Sequence, residues 1–249
     1  MKVALCFWGL CRSTHLTIAS IQTHIFDALK HQGIEYDIYC HTYEIHHTYT
    51  NVRADEIKCI LRNDNWKLLE PTYISLENQD KIDAGLDLES YRTKGDPWNY
   101  EPYYIPYATF DNHIRALWSL HSVGKLLDKS QTVYDYIVFL RPDVLYLQPL
   151  LRDYFLHATN ETVCIPDFHH FFGSNDRFAI CTPHVAKLYS HRFKHAFTYS
   201  LHNQLHAEGF LSDVLQSAGI RIHTIPFRFR RVRANGRIAD ADKSLTAHT

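Results

Sequence analysis

The residues best placed to do chemistry are Arg141, Pro142 and Asp143, which follow an apolar, β-branched and aromatic run at residues 137–140. Such a run reads as a strand buried on both faces, central in a parallel sheet. Pro142 cannot donate to the ladder and biases Arg141 toward an extended conformation, so pairing stops there. A charged pair is thereby delivered to the carboxyl end of a central strand, the edge at which open α/β sheets bind ligands. There Asp143 could hold a divalent cation against a diphosphate. The alternative is an ordinary surface ion pair between Arg141 and Asp143, of little energetic value.

Other polar clusters also fall at expected strand ends: residues 9–13, His41-Thr42-Tyr43 and Asn175-Asp176-Arg177. One shared site at the carboxyl edge of a sheet would produce that pattern, although strand ends are polar in any case because loops are. Among the eighteen histidines, His41, His46, His47, His169 and His170 have no spacing that compels a zinc site.

The elements that must position these residues are legible from periodicity. Residues 3–8 read as a buried strand, and Ser13 or Thr14 can cap a helix running to about residue 31. Gly33 ends that helix, and residues 36–40 form a second strand, completing a right-handed βαβ unit. Residues 51–62 are expected to be helical, 72–76 a short strand and 81–92 weakly helical. Gly95, two prolines and four aromatics make residues 94–104 a loop. A helix at 107–128 carries Ile114, Leu117, Leu120, Val123 and Leu127 on one face and leads into the central strand. Beyond Asp143 the expected order is a short helix at 150–157, a strand at 162–165 and a loop at 167–176. A strand at 177–181, helical segments at 183–205 and 207–217, and a last strand at 221–226 complete it. Residues 239–249 are expected to fray.

The bulk properties fit this picture. The chain has 249 residues, of which 45% are hydrophobic, enough for one α/β domain with a real core. A formal net charge of -1 argues against a protein built globally for nucleic acid or a membrane surface. The six cysteines include no CxxC pair and lie mostly in expected strands, as free buried thiols would in a reducing compartment. With no run long enough to span a bilayer, the expected location is cytoplasmic.

Arg141-Pro142-Asp143 resembles the metal-binding acidic motif of GT-A glycosyltransferases, normally Asp-x-Asp after a central strand, with Arg141 in place of the first carboxylate. Other stretches follow in a similar order. They are the N-terminal strand with its Gly and Arg-Ser turn, Asn-Asp-Arg-Phe-Ala-Ile at 175–180, a Glu-containing helix at 206–211, and Arg-Val-Arg-Ala-Asn-Gly at 231–236. Together they are similar to small GT-A-type enzymes of bacteria and large DNA viruses. The resemblance covers most of the chain, though each motif is short.

It implies a GT-A-like single domain at 1–238 with a Rossmann-like, mostly parallel sheet flanked by helices. It also implies a nucleotide diphosphate sugar donor, usually a UDP-sugar, a glycan hydroxyl as acceptor, and Mn2+ or Mg2+ bridging protein and diphosphate. Asp143 matches the ligating carboxylate, and His223 stands on the last strand, where many such enzymes carry a metal-binding histidine. Glu208, at the head of a helix, is the expected general base of an inverting transfer, with Asp176 the alternative and Asp167 a third. Gly9, Arg12, Ser13, His41 and Arg141 are expected around the nucleotide, glycine permitting close backbone approach. The dense basic run Arg228, Arg230, Arg231, Arg233 and Arg237 has two readings. One is a C-terminal flap in which Arg231 and Arg233 clamp the diphosphate, and the other is nucleic-acid binding. A catalytically inactive nucleotide-sugar or glycan-binding module is the other competitor, since the first motif carboxylate is missing.

Overall fold

The computed structural model describes residues 1–100 and 104–248; part of the expected 94–104 loop therefore lies outside the described residues. β1 (Lys2–Trp8) alternates its side chains between two cores: Val3, Leu5 and Phe7 join one cluster, and Ala4, Cys6 and Trp8 join the other. Burying both faces makes this strand central. Helix α1 (Thr14–Ile21), a widened π segment over Gln22–Asp27 and α2 (Ala28–His31) then cover the first face. The chain returns through β2 (Glu35–Glu44), parallel to β1. His41, Thr42 and Tyr43 thus lie inside the strand, not beyond its end.

Residues 51–62 are not the expected helix. β3 (Tyr49–Asn51) and β4 (Glu56–Cys59) form an antiparallel pair, closed by a 3-10 turn and by Asp55 in a left-handed conformation at φ 53°. An aspartate tolerates that region better than most residues, which makes the reversal possible within so few residues. β5 (Tyr73–Asn78) adds to β2, and α3 (Gln79–Leu86) follows, its Asn78 side chain accepting the Lys81 N–H. α4 (Ala108–Asp128) packs Leu120 and Val123 on the second face of the sheet.

β6 (Tyr136–Leu140) lies beside β1 in parallel, and β7 (Val144–Tyr146) leaves the main sheet. After α5 (Arg152–Phe155) come β8 (Thr162–Pro166) and β9 (Ala179–Cys181). α6 (Pro183–His191), α7 (Phe193–Ser200) and α8 (Ala207–Ser217) lead to β10 (Arg221–Ile225). The seven-stranded sheet runs β10-β8-β9-β6-β1-β2-β5, and β9 alone is antiparallel to its neighbours. This is an α/β fold with a mostly parallel central sheet between helical layers.

β11 (Phe229–Arg231) pairs antiparallel with β7. The residues beyond it are bound back onto the body: Leu245 O accepts from Arg230, buried Asp242 binds Arg231, and His248 N–H donates to Gln148. The fraying expected from Ala239 is thus replaced by a docked segment, because arginines of β11 need acceptors that this segment supplies. All six cysteines are free, and no helix among the described residues is long and apolar enough to cross a membrane.

Candidate active site

Strand alternation builds the site. Ile137, Phe139 and then Arg141 project to the same face as Trp8, and the Arg141 guanidinium lies over the Trp8 ring, 4.7 Å from its centroid. Gly9 makes this close approach possible. Its φ is +93°, and a Cβ there would stand 2.5 Å from Arg141 Nη1. The Gly9 turn is itself pinned from below. Glu77 accepts from Trp118 Nε1 and lies 2.8 Å from His41 Nε2, while His41 Nδ1 is 2.7 Å from Ser119 Oγ, which accepts the Gly9 N–H. Burial holds His41 below its ordinary pKa although Glu77 opposes it. The consistent arrangement is a neutral ring with its proton on Nε2 and Nδ1 accepting from Ser119. His41 is therefore a fully buried strut beneath the turn, not a wall of a pocket.

Asp143 is almost fully buried, and both its oxygens accept guanidinium bonds. Oδ1 takes Arg141 Nε at 3.0 Å, and Oδ2 takes Arg12 Nη2 at 2.8 Å and Arg141 Nη2 at 3.1 Å. Burial alone would raise its pKa, but Arg141 and Arg12 hold it well below the usual carboxylate range. Arg12 also binds Glu56 Oε2 at 2.9 Å and the Tyr49 hydroxyl at 3.1 Å. Glu56, fully buried, uses Oε1 to accept the Ala234 N–H at 2.5 Å. The β3–β4 hairpin thus reaches the site through residues that no sequence pattern singled out.

The C-terminal segment closes the same corner. Val232 N–H donates to Asp143 O, Ser13 Oγ donates to Val232 O at 2.8 Å, and Thr17 Oγ1 donates to Pro142 O at 2.6 Å. Ser13 heads α1 without giving it a side-chain cap, because its hydroxyl is used on Val232. These ties bring Arg233 against Arg12 and Asp143. Its pKa is lowered to about 10 by burial and by the neighbouring Arg12 and Arg231. Among the described residues no carboxylate hydrogen-bonds its guanidinium. Arg231 is by contrast committed to Asp242.

Because β9 runs against its neighbours, its start lies at the edge where they end, and Asp176 and Arg177 enter the site there. Arg177 Nη2 donates to Glu208 Oε1 at 2.6 Å, and its Nη1 is 3.9 Å from Asp176 Oδ1. Glu208 stands in the first turn of α8, with the 173–174 loop seated on its backbone; a side chain at Gly173 would collide with Glu208 O. Burial and then Asp176 raise the Glu208 pKa against the pull of Arg177. Asp176 is lowered in spite of burial by Arg177, Arg192, His113 and Arg141. One guanidinium therefore separates two carboxylates of different proton affinity. Asp167 is paired with Arg228, near β11.

Next to the arginines a cavity of about 140 Å³ is lined by Gly9, Leu10, Tyr43, Asn112, Arg115 and Arg141, among others. His223 does not reach this corner. It sits mid-strand on the edge strand β10, stacked on His157 at 4.1 Å, three strands from β6. At about 4.8 Å per strand that is roughly 14 Å.

The donor set does not fit the divalent cation that the resemblance implies. Both oxygens of Asp143 are taken by arginines, Arg233 adds a further positive charge, and His223 is remote. Among the described residues, no group of three or more His, Cys, Asp or Glu is arranged to hold a metal ion. Gly9, Arg12, Arg141, Asp143 and Arg233 are brought together, Asp176 and Glu208 adjoin them through Arg177, and Ser13 and His41 support from beneath.

No protein-family model matches the chain, and no curated protein matches it in sequence. Among solved structures it is similar to apo mouse xyloside xylosyltransferase 1, over 90% of this chain and 85% of that one. That overlay has a TM-score of 0.47 and 11% sequence identity.

Proposed function

We propose that this chain is a glycosyltransferase that moves a sugar from a nucleoside diphosphate donor to a hydroxyl of a glycan acceptor, with inversion. A UDP-sugar is the first donor to test. The observation that carries the reading is the division of charge at one sheet edge. Arg12, Arg141 and Arg233 gather beside a cavity, and two carboxylates of unequal basicity flank Arg177 next to them. The cavity receives the nucleoside against Tyr43 and the Gly9 turn, and the diphosphate lies over the arginines. Glu208, whose proton affinity burial and Asp176 raise above that of an ordinary carboxylate, takes the proton of the acceptor hydroxyl. The acceptor oxygen bonds to the sugar C1 as the C1–O bond to the diphosphate breaks, and that electron pair leaves with the phosphate. Asp176 orients the acceptor.

A second reading, an inactive donor-binding module, has one observation in its favour: Glu208 Oε1 is held by Arg177 at 2.6 Å, and its other oxygen lies 3.4 Å from His206 Nδ1 in a nearly closed environment. Nucleic-acid binding through the arginine run is disfavoured. Arg228, Arg230, Arg231 and Arg237 are each bound within the chain, to Asp167, Leu245 O, Asp242 and Asp55.

The test is release of nucleoside diphosphate from a panel of UDP- and GDP-sugars, with glycan acceptors. Turnover that falls at least a hundredfold in Glu208→Gln, with donor binding retained, supports the enzyme. Binding without turnover supports the inactive module. An absence of both binding and turnover across the panel overturns the assignment.

A further inference from the structure

We propose that this site holds the donor diphosphate through Arg12, Arg141 and Arg233 without a divalent cation, Asp143 serving to position two of those arginines instead of ligating a metal. The inference rests on the donor reading above and deepens it. A metal at such a site neutralises the diphosphate and the charge that grows on it as the sugar departs. Here the same positive charge is already built into the protein. Asp143 has no free oxygen to offer a cation, because each one accepts from a guanidinium in a nearly closed environment. A cation pressed against it would stand among three guanidiniums and be repelled by all of them.

The charge balance then favours an anion. Among the described residues, Arg12 and Arg141 are ion-paired with Asp143 and Glu56, while Arg233 has no paired carboxylate; Asp176 and Asp240 act on Arg141 and Arg233 only through space. The lowered proton affinity of Arg233 reports the same imbalance, since burial and neighbouring cations are its leading causes. Donors are also left over close by. Arg12 Nε and Trp8 Nε1 are buried with no hydrogen-bond partner, which is uncommon for buried polar atoms. Guanidinium forks match pairs of phosphate oxygens, and three of them suit the several oxygens of a diphosphate. Asp143 and Glu56 fix Arg12 and Arg141 in place before the ligand arrives, so little side-chain freedom is lost on binding. During transfer the electron pair of the breaking C1–O bond stays on the β-phosphate oxygen, within this arginine group. The acceptor's proton leaves separately, to Glu208.

The test is calorimetric titration of the full chain with UDP in excess EDTA, then with excess Mn2+ or Mg2+ in its place. Uridine, and inorganic pyrophosphate in EDTA only, serve as further probes. UDP is expected to bind in EDTA with an affinity that either metal changes less than twofold. Arg233→Ala should weaken UDP and pyrophosphate at least tenfold while leaving uridine unaltered, and Arg233→Lys should recover part of the loss by restoring charge without the fork. Because no carboxylate among the described residues pairs with Arg233, these variants should keep the wild-type unfolding midpoint. The EDTA comparison on the unaltered chain needs no variant at all. UDP binding that appears only after a divalent metal is added overturns the cation-free site and leaves the donor reading standing. Unchanged UDP affinity in Arg233→Ala overturns the arginine group. A failure of UDP to bind in any of these buffers, together with failure of GDP titrated in the same way and of pyrophosphate in EDTA, overturns the donor reading itself.

Discussion

Glu56 offers the sharpest test of the charge network, because its contacts separate cleanly. Its side chain is fully buried, and its two oxygens do different work: Oε2 accepts from Arg12 and Oε1 accepts the Ala234 N–H. Glu56→Ala leaves Arg12, only 8% exposed at its side chain, with a single counter-charge, and orphans a backbone donor. Breaking one side of a buried ion pair typically costs about 3–5 kcal/mol. For a chain of this size roughly 2–4 °C of melting temperature follows each kcal/mol, so a loss of about 6–20 °C is expected. Glu56→Gln keeps the shape and the Ala234 bond, but its NH2 replaces the oxygen that accepts from Arg12, so the charged hydrogen bond is lost, at a cost of about 1.5–3 kcal/mol. Urea unfolding with a common slope would measure both variants. Joining Glu56→Met to Arg12→Met should restore much of what either single change loses, since neither then strands a buried charge. A loss under about 1 kcal/mol in Glu56→Ala would refute the reasoning. It would mean that Asp143 alone compensates Arg12 and that the hairpin is incidental to the site.

Acid should destabilise the fold through two buried histidines. His113 is lowered to about 3 and His121 to about 4, chiefly by burial, against an ordinary value of 6.5. Both stay neutral in the folded chain while the unfolded chain takes up protons, so stability is complete above about pH 6.5 and falls as the pH drops toward 4, by about 1.4 kcal/mol per pH unit for each histidine. Urea midpoints from pH 7.5 to 4.5 should fall, and should fall less steeply in His113→Phe; a flat profile contradicts the prediction. Gly9→Ala should destabilise by about 1–2 kcal/mol, because the added Cβ meets Arg141 and the φ of +93° suits glycine, and UDP affinity measured by calorimetry should fall with it. Arg177→Met removes the charge that holds Glu208 down, so the acidic limb of the pH profile of kcat/KM should move to higher pH; a limb that stays put would show that Glu208 is not the base.

Much of the fold was legible because burial on both faces writes itself into unbroken apolar runs. β1 and β6 lie where those runs are, and the helices of α1 and α4 follow their periodic faces. The 51–62 hairpin was not legible, since its reversal depends on a left-handed Asp55 and a polar segment whose buried member, Glu56, is buried only because Arg12 waits for it. The antiparallel sense of β9 is likewise a property of the whole sheet. It explains why Asp176 and Arg177, which precede a strand, share an edge with Arg141, which follows one. His41 and His223 could not be sorted by sequence, because a polar residue at a strand end reads the same whether it faces a cavity, a strut or a stacking partner.

The difference between an acidic motif and this one comes down to two positions on the same strand face. Residues separated by two converge on that face, so a pair of carboxylates there repel each other and call for a cation between them. With arginine at the first position the pair is neutral and bidentate, and the carboxylate has capacity left for a second guanidinium, which Arg12 supplies. That second arginine brings its own need for charge balance, met by Glu56 from the hairpin, and Glu56 in turn anchors the backbone at Ala234, next to Arg233. A single change of charge at residue 141 thus propagates through four side chains to the C-terminal segment. The consequence is that the segment carrying Arg233 should loosen when Asp143 is replaced by Asn, and amide exchange at Val232 and Ala234 should rise while exchange in β1 does not. Equal exchange at all three places in wild type and variant would show the corner to be held by backbone pairing with β7 alone.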